Sequence, residues 1–484
     1  MPKTILTIAN SWNTPLFIAT VCVLCFLIPF IHPLLILIAA IALATFVLFL
    51  KKPILGIWLL LLFVPLGQFA RLPISQQGAQ EIAIMATDLL IPFLLLTWII
   101  RKILVKEPFN FPKNSVIIIG FSATATISLA FAALSMPFSD ILSGGLYLFR
   151  WLEFAALFFI SWDLIRTAQQ VKFLTWLFIG GGTVIAFLGF LQYLIFPDFS
   201  FMVEFGWDPH LERLVSTFFD PNFTGMYLVI TLSLLLSIFY QALLRKPQPD
   251  EKKVVWHKSK KNKFITIILL LMLFNGLALI LTYSRSAMLA FLLVLVVFGF
   301  AHDRKILILT AFSALIVLSF FPRYQERLTE TFDPDTSANK RIESWSNATT
   351  ILEDTNPFIG IGYNTYRSAQ ISYGLITDEE LARSGAGTDS SLLLILVTTG
   401  IGGLILYLLI LLRSLYLGLQ TYLKNKNTLT GMFGLSFTAI LIGLIVHSQF
   451  VNSLLYPFIL LYFWIAFGVV TRFSNEIIPP EPNS

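Results

Sequence analysis

Three arginines in this chain stand where apolar stretches give way to polar ones. Arg213 precedes the apolar run 222–243, Arg285 lies in TYSRSA between the runs 264–282 and 286–301, and Arg341 opens RIESWSNATTIL. A guanidinium at an apolar border either snorkels to the polar side or serves a site. Arg285 fits snorkelling least, because with Ser284 and Ser286 it forms the turn itself, where several donors can aim at one place. A planar, permanently charged fork of paired donors suits a diphosphate. Carboxylates and one imidazole accompany these cations. Glu204, Asp208, His210, Glu212 and Asp220 fall in the loop 197–221, Asn222 follows it, and Asp389 stands in AGTDSSLL. General-base work needs such a group beside an acceptor hydroxyl. Each loop acid, taken alone, reads first as solvated surface. Asp389 reads equally well as a helix cap, since Thr388, Asp389 and Ser390 are all good capping residues.

Other chemistries find less support. The five histidines (His32, His210, His257, His302 and His447) are scattered, and no pair has metal-ligand spacing. Asp333 and Asp335 are split by proline in FDPDT and read as a turn. No glycine loop of the nucleotide type occurs, which argues against direct use of ATP. Cys22 and Cys25 both lie within the first apolar run and read as small lipid-buried residues, with no disulfide framework. Neither a metal nor a cofactor is expected.

The elements that position these residues are membrane spans. Of the 484 residues 57% are hydrophobic and 12% charged, about half the charge of an ordinary soluble domain. The apolar residues come in continuous runs long enough to cross a bilayer as helices, and without the alternation of a barrel. The predicted fold is therefore an all-α polytopic membrane protein with about 14 spans, at 14–31, 33–50, 53–69, 84–100, 115–135, 143–160, 173–196, 222–243, 264–282, 286–301, 306–321, 389–412, 428–447 and 450–471. The first run reads as a retained span rather than a removed signal peptide.

Loop charge sets the expected orientation. One alternate set of connections, with Lys3 and Arg472, holds 23 of the 33 basic residues, and the other set holds nine. The positive-inside rule then puts both termini in the cytoplasm. The net charge of +6 reads as a topology signal rather than a nucleic-acid surface. The division is residues 1–321 with eleven spans, a large outward loop 322–388, three spans in 389–471 and a cytoplasmic tail 472–484. The basic stretch 244–263 is expected to be a flexible cytoplasmic linker able to touch anionic headgroups. Within the large loop, Ile342, Trp345, Thr349 and Leu352 repeat at helical spacing. Ser337 or Asn339 could cap that helix, and Pro357 ends it. Outward-loop aromatics (Phe205, Trp207, Phe218, Phe219, Trp345, Tyr363 and Tyr366) could stack on sugars or anchor the interface.

Four strings, in order, resemble the O-antigen ligase and O-antigen polymerase superfamily: RLVSTFFDPNFTGMYL, LTYSRSAMLAFL, RIESWSNATTILEDTNPFIGIGYNTY and GTDSSLLLILVTTGIGGLILYL, over roughly residues 210–410. The resemblance implies a membrane glycosyltransferase of C-type architecture in the bacterial cytoplasmic (inner) membrane. It implies metal-independent transfer of a glycan from a polyprenyl-diphosphate carrier to a glycan, lipid or protein acceptor on the extracytoplasmic face. On that resemblance Arg213 and Arg285 hold the diphosphate as leaving group, with Arg341, Glu204, His210, Asp220, Asn222 and Trp345 as substrate-binding candidates. Ligases commonly carry a histidine where the chain re-enters the membrane; Thr388 stands there in this chain, followed by Asp389. That departure makes Asp389, or a loop acid such as Glu204, the candidate base and favours a polymerase-like transferase over a lipopolysaccharide ligase. A transporter or flippase of lipid-linked glycans is the main alternative, and a scaffold protein a third. A transporter would be expected to show matching halves and midplane charges. Only Arg150 and Glu153, expected to pair on one helical face, suggest the latter.

Overall fold

The computed structural model describes residues 33–77, 80–244, 251–320, 325, 336–376 and 387–476. The expected first span with Cys22 and Cys25, the FDPDT turn and the end of the tail lie outside the described residues. Apolar runs fold into α1 (Pro33–Lys51), α2 (Ile54–Phe63), α3 (Ala86–Val105), α4 (Ser115–Ala132), α5 (Phe138–Leu164) and α6 (Ala168–Ile195). The chain continues with α7 (Pro221–Leu244), α8 (Glu251–Leu281), α9 (Arg285–Ala301) and α10 (Lys305–Phe320). Helices α11 (Thr336–Glu353) and α12 (Tyr366–Ser372) precede α13 (Ser391–Lys424), α14 (Leu429–His447) and α15 (Pro457–Phe473). Seven helices among the described residues are long and apolar enough to cross a membrane: α4 to α8, α13 and α14. α1, α2, α9 and α15 are shorter and apolar. With leucine as apolar as lipid, helices in this medium associate through packing and polar contacts. α7 and α14 accordingly lie almost wholly inside the bundle, joined by a 2.6 Å contact between the Ser237 and Ser436 hydroxyls. Those hydroxyls also donate to the facing backbone, Ser237 to Met432 O and Ser436 to Ser233 O, both at 2.8 Å. α8 sits at the periphery and leaves most of its surface outward.

Four features differ from the sequence expectation. A two-stranded antiparallel hairpin, β1 (Arg71–Gln77) with β2 (Gln80–Met85), occupies the connection between the expected spans 53–69 and 84–100 and takes in the first residues of the latter. α13 continues twelve residues past the expected end at Leu412, because Arg413 is accommodated in the helix, its Nε donating to Asn114 Oδ1 at 2.8 Å. The basic linker is helical from Glu251, continuous with α8. Last, Arg150 pairs not with Glu153 but with Asp88 of α3. Its Nε lies 3.0 Å from Asp88 Oδ1, and its Nη2 donates to Ala83 O at 2.8 Å. Asp88 already receives the Met85 N–H at 2.9 Å, so it sits where the guanidinium can reach both it and the hairpin.

α13 is interrupted at Gly400, whose φ of 69° and ψ of −177° leave the helix. The stretch PFIGIG docks into the interruption. Ile361 N donates to Val397 O at 3.0 Å, Gly362 N to Thr398 O at 3.2 Å, and Ile401 N to Pro357 O at 2.8 Å. The Ser128 hydroxyl from α4 also reaches Thr398 O at 2.6 Å. Non-helical backbone within an apolar bundle survives only where protein groups satisfy it, and here they do.

Candidate functional site

The turn between α8 and α9 is held from the side by the segment that follows α6. Leu214 N donates to Leu281 O at 2.9 Å, Arg213 Nε to Thr282 O at 2.9 Å and Arg213 Nη2 to Tyr283 O at 3.4 Å. Ser284 caps α9 by accepting from Ala287 N, and Arg285 is the first residue of that helix, half-exposed. The serines flanking Arg285 are committed locally: Ser284 Oγ donates to Asn222 Oδ1 at 2.8 Å and lies 3.2 Å from Ser286 Oγ. Asp220 caps α7, its Oδ1 accepting from Asn222 N at 2.6 Å and Phe223 N at 3.0 Å, with Pro221 in the first helical position.

The large-loop helix and the start of α13 close on the same place. Arg341 Nε donates to Phe450 O at 3.2 Å, in the turn after α14. The cap of α13 is Ser390, which accepts from Leu393 N, so Asp389 is not needed as one. Asp389 stands one residue before the cap, in a left-handed conformation (φ 50°). Burial raises its carboxyl above the ordinary range; Arg341 opposes that rise and Asp220 adds to it. His447, fully buried at the end of α14, contacts Ser453 Oγ through Nδ1 at 3.0 Å and lies within the influence of Asn222 and Arg341. The links form a ring from Asn222 through His447, Arg341 and Asp389 to Asp220 and back to Asn222, and Ser284, next to Arg285, joins it at Asn222.

His210, buried, joins the ring through Asp220 and Arg213. Burial lowers it to about 4; Asp220 opposes the shift and Arg213 adds to it. A free histidine near 6.5 takes a proton before the folded one does. Folding is therefore progressively disfavoured as pH falls from about 6.5 towards 4, by roughly 3 kcal/mol in all. Melting of the purified protein across that range should show the acid-side loss, and His210→Gln should flatten it.

The other candidates are placed differently. Trp345 lies one turn beyond Arg341 on α11, half-buried, with Nε1 lacking a partner. α11 itself begins before both expected caps, so Ser337 and Asn339 lie inside it. Glu204 is exposed on the 3₁₀ turn Ser200–Phe205. Three aromatics weighed for sugar stacking are core instead. Phe218 stacks on Phe458 at 4.7 Å, Tyr363 is buried, and Tyr366 is buried with its hydroxyl donating to Ser344 O.

Sequence reasoning passed over one wall of the site. Gly67 (φ 53°) bends the chain against the loop before α7, so closely that a Cβ there would stand 2.3 Å from Thr217 O. The bend delivers Gln68, whose Nε2 donates to Tyr456 OH at 3.3 Å, and Arg71, whose guanidinium lies 5.5 Å from the Trp207 ring centroid. Tyr456 stacks on Phe223 at 3.7 Å, beside Asn222. An arginine just past an apolar run was the available signal. Backbone strain marks the same region. Glu212, Ser216, Phe219, Tyr283 and Asp389 all have positive φ, between 48° and 58°. Such residues cost of order 1–3 kcal/mol each and cluster at functional sites.

No curated protein matches the chain. Residues 267–408, from within α8 to within α13, match the family model Wzy_C, described as O-antigen ligase. That match points to glycan transfer in surface polysaccharide biosynthesis, and the segment contains Arg285, Arg341 and Asp389. With its apolar helices the chain is a multi-pass membrane protein, and its residues 267–408 are similar to the O-antigen ligase family.

Proposed function

We propose that the ring of Arg213, Arg285, Arg341 and Asp389 transfers a glycan from a polyprenyl-diphosphate carrier to an acceptor hydroxyl on the extracytoplasmic face. The observation that carries this reading is the convergence of four distant segments on one place holding both cations and a half-buried carboxyl. Arg285 and the N-terminus of α9 receive the diphosphate, while Arg213 holds the turn that presents them. The acceptor oxygen bonds to the anomeric carbon as the bond from that carbon to the phosphate oxygen breaks. The diphosphate leaves with the electron pair, and the acceptor proton passes to the Asp389 carboxylate. Charge gathering on the leaving group meets fixed cations, which is usually the largest catalytic contribution. No step in this scheme requires a metal. The carboxylate in place of a histidine supports chain polymerisation over ligation to a lipid core.

Reconstituted protein, given a polyprenyl-diphosphate oligosaccharide and candidate acceptors in EDTA, should release carrier diphosphate as a larger glycan forms. Movement of the lipid-linked glycan across the bilayer without release would replace this reading with a transporter.

A further inference from the structure

A second group of buried polar side chains lies beside this ring, on α3, α5 and α12, and the transfer chemistry above does not use it. The hydroxyls of Ser143 and Thr87 and the side-chain oxygen of Gln370 are buried without a hydrogen-bond partner. The three residues are between 2% and 7% exposed. Buried polar atoms are nearly always paired, so several orphans together mark a place that something polar fills.

The group lies along α5 and on the segments packed against it. Ser143, Tyr147 and Arg150 follow one face of α5 at helical spacing, and Glu153 comes one turn later. Between Ser143 and Tyr147, Gly144 brings α5 against the chain leading into α12; a Cβ there would stand 2.8 Å from Tyr363 O. Arg367 and Gln370, one turn apart on α12, are both buried, and the Arg367 guanidinium feels the Tyr147 hydroxyl. From the other side Asp88, next to Thr87, holds Arg150 and lies within the influence of Glu153. Two connections tie the group to the ring. Tyr366 of α12 donates to Ser344 O, one turn from Arg341. The hairpin β1–β2 runs from Arg71, over the Trp207 ring, to Ala83, which accepts from Arg150.

We propose that this face of α3, α5 and α12 is the acceptor subsite, taking the hydroxyls of the incoming neutral glycan. Asp88 already neutralises Arg150. The unmet groups are hydroxyls and an amide oxygen, a mixture of donors and acceptors. Sugar hydroxyls both donate and accept, so they can answer such a mixture where an anion cannot. From Ser143 to Glu153 the face extends roughly 15 Å along the helix, at about 1.5 Å per residue. A transferase must hold two reactants at once in attacking geometry, and a polar surface tied to the ring on two sides meets that need.

The inference rests on the glycan-transfer reading, and two measurements separate the two. In the transfer assay, Gln370→Ala and Ser143→Ala should each raise the KM for acceptor about tenfold, leaving the KM for donor and kcat near wild type. Unchanged acceptor KM in both, with wild-type transfer intact, overturns the subsite and spares the reading. The second measurement needs no turnover. Ser143→Cys, in a chain with Cys22→Ser and Cys25→Ser, is labelled with a small maleimide with or without the free oligosaccharide cleaved from the donor. Protection by that oligosaccharide supports the subsite even if transfer fails. Labelling at an unchanged rate means the face holds water only and overturns it.

Discussion

An Arg285→Ala protein should transfer glycan roughly 10²- to 10³-fold more slowly than wild type, the loss expected when one preorganised group facing developing negative charge is removed. The structure explains why no neighbour would compensate. Ser284 is committed to Asn222 and to capping α9, and Arg213 spends two of its donors on the carbonyls of Thr282 and Tyr283. Arg285→Lys should recover only part of the rate, since an ammonium keeps the charge but not the paired fork. Steady-state kinetics with a defined donor check both variants. A fall in kcat assigns Arg285 to the transition state. A raised donor KM at unchanged kcat assigns it to ground-state binding and sinks the leaving-group role.

Asp389→Asn should cost roughly 10² to 10⁴ in turnover, the range for removing a positioned base. The pH dependence makes the test specific. Burial and Asp220 raise the Asp389 carboxyl, against the pull of Arg341. A raised carboxyl takes its proton at higher pH than a free aspartate, near 3.9. Activity should therefore begin to fall on acidification above the ordinary carboxylate range. Arg341→Ala removes the opposing cation and should move that fall to still higher pH. Full turnover in Asp389→Asn, or an acid limb unmoved in Arg341→Ala, would remove Asp389 from the proton transfer.

The apolar runs made the helices legible, because bilayer thickness leaves few other lengths for a continuous run. Arg413 and the basic stretch ahead of Phe264 show where that logic stops. A charged residue marks the membrane border, whereas a helix continues wherever its backbone bonds continue, as α8 and α13 do. In the site, Arg285, Arg213, Arg341 and Asp389 were visible because arginine and aspartate at apolar borders are costly. The opposite sort of residue was missed. Tyr456 and Gln68 look like ordinary interfacial residues, and only the approach of Gly67 to Thr217 shows what they line. Asp88 escaped for another reason. It lies in the first turn of its helix, where its carboxylate accepts the Met85 N–H, and its ion pair with a residue 62 positions away leaves no local trace.

The docking of PFIGIG into the interrupted α13 also bears on how the chain is made. The groups that complete the interruption, Ser128 and residues 357–362, all precede Gly400 in sequence. A ribosome delivers them first. When the glycine-broken stretch enters the bilayer, its orphaned carbonyls meet partners already waiting, and at no stage of synthesis need the unpaired backbone face lipid alone.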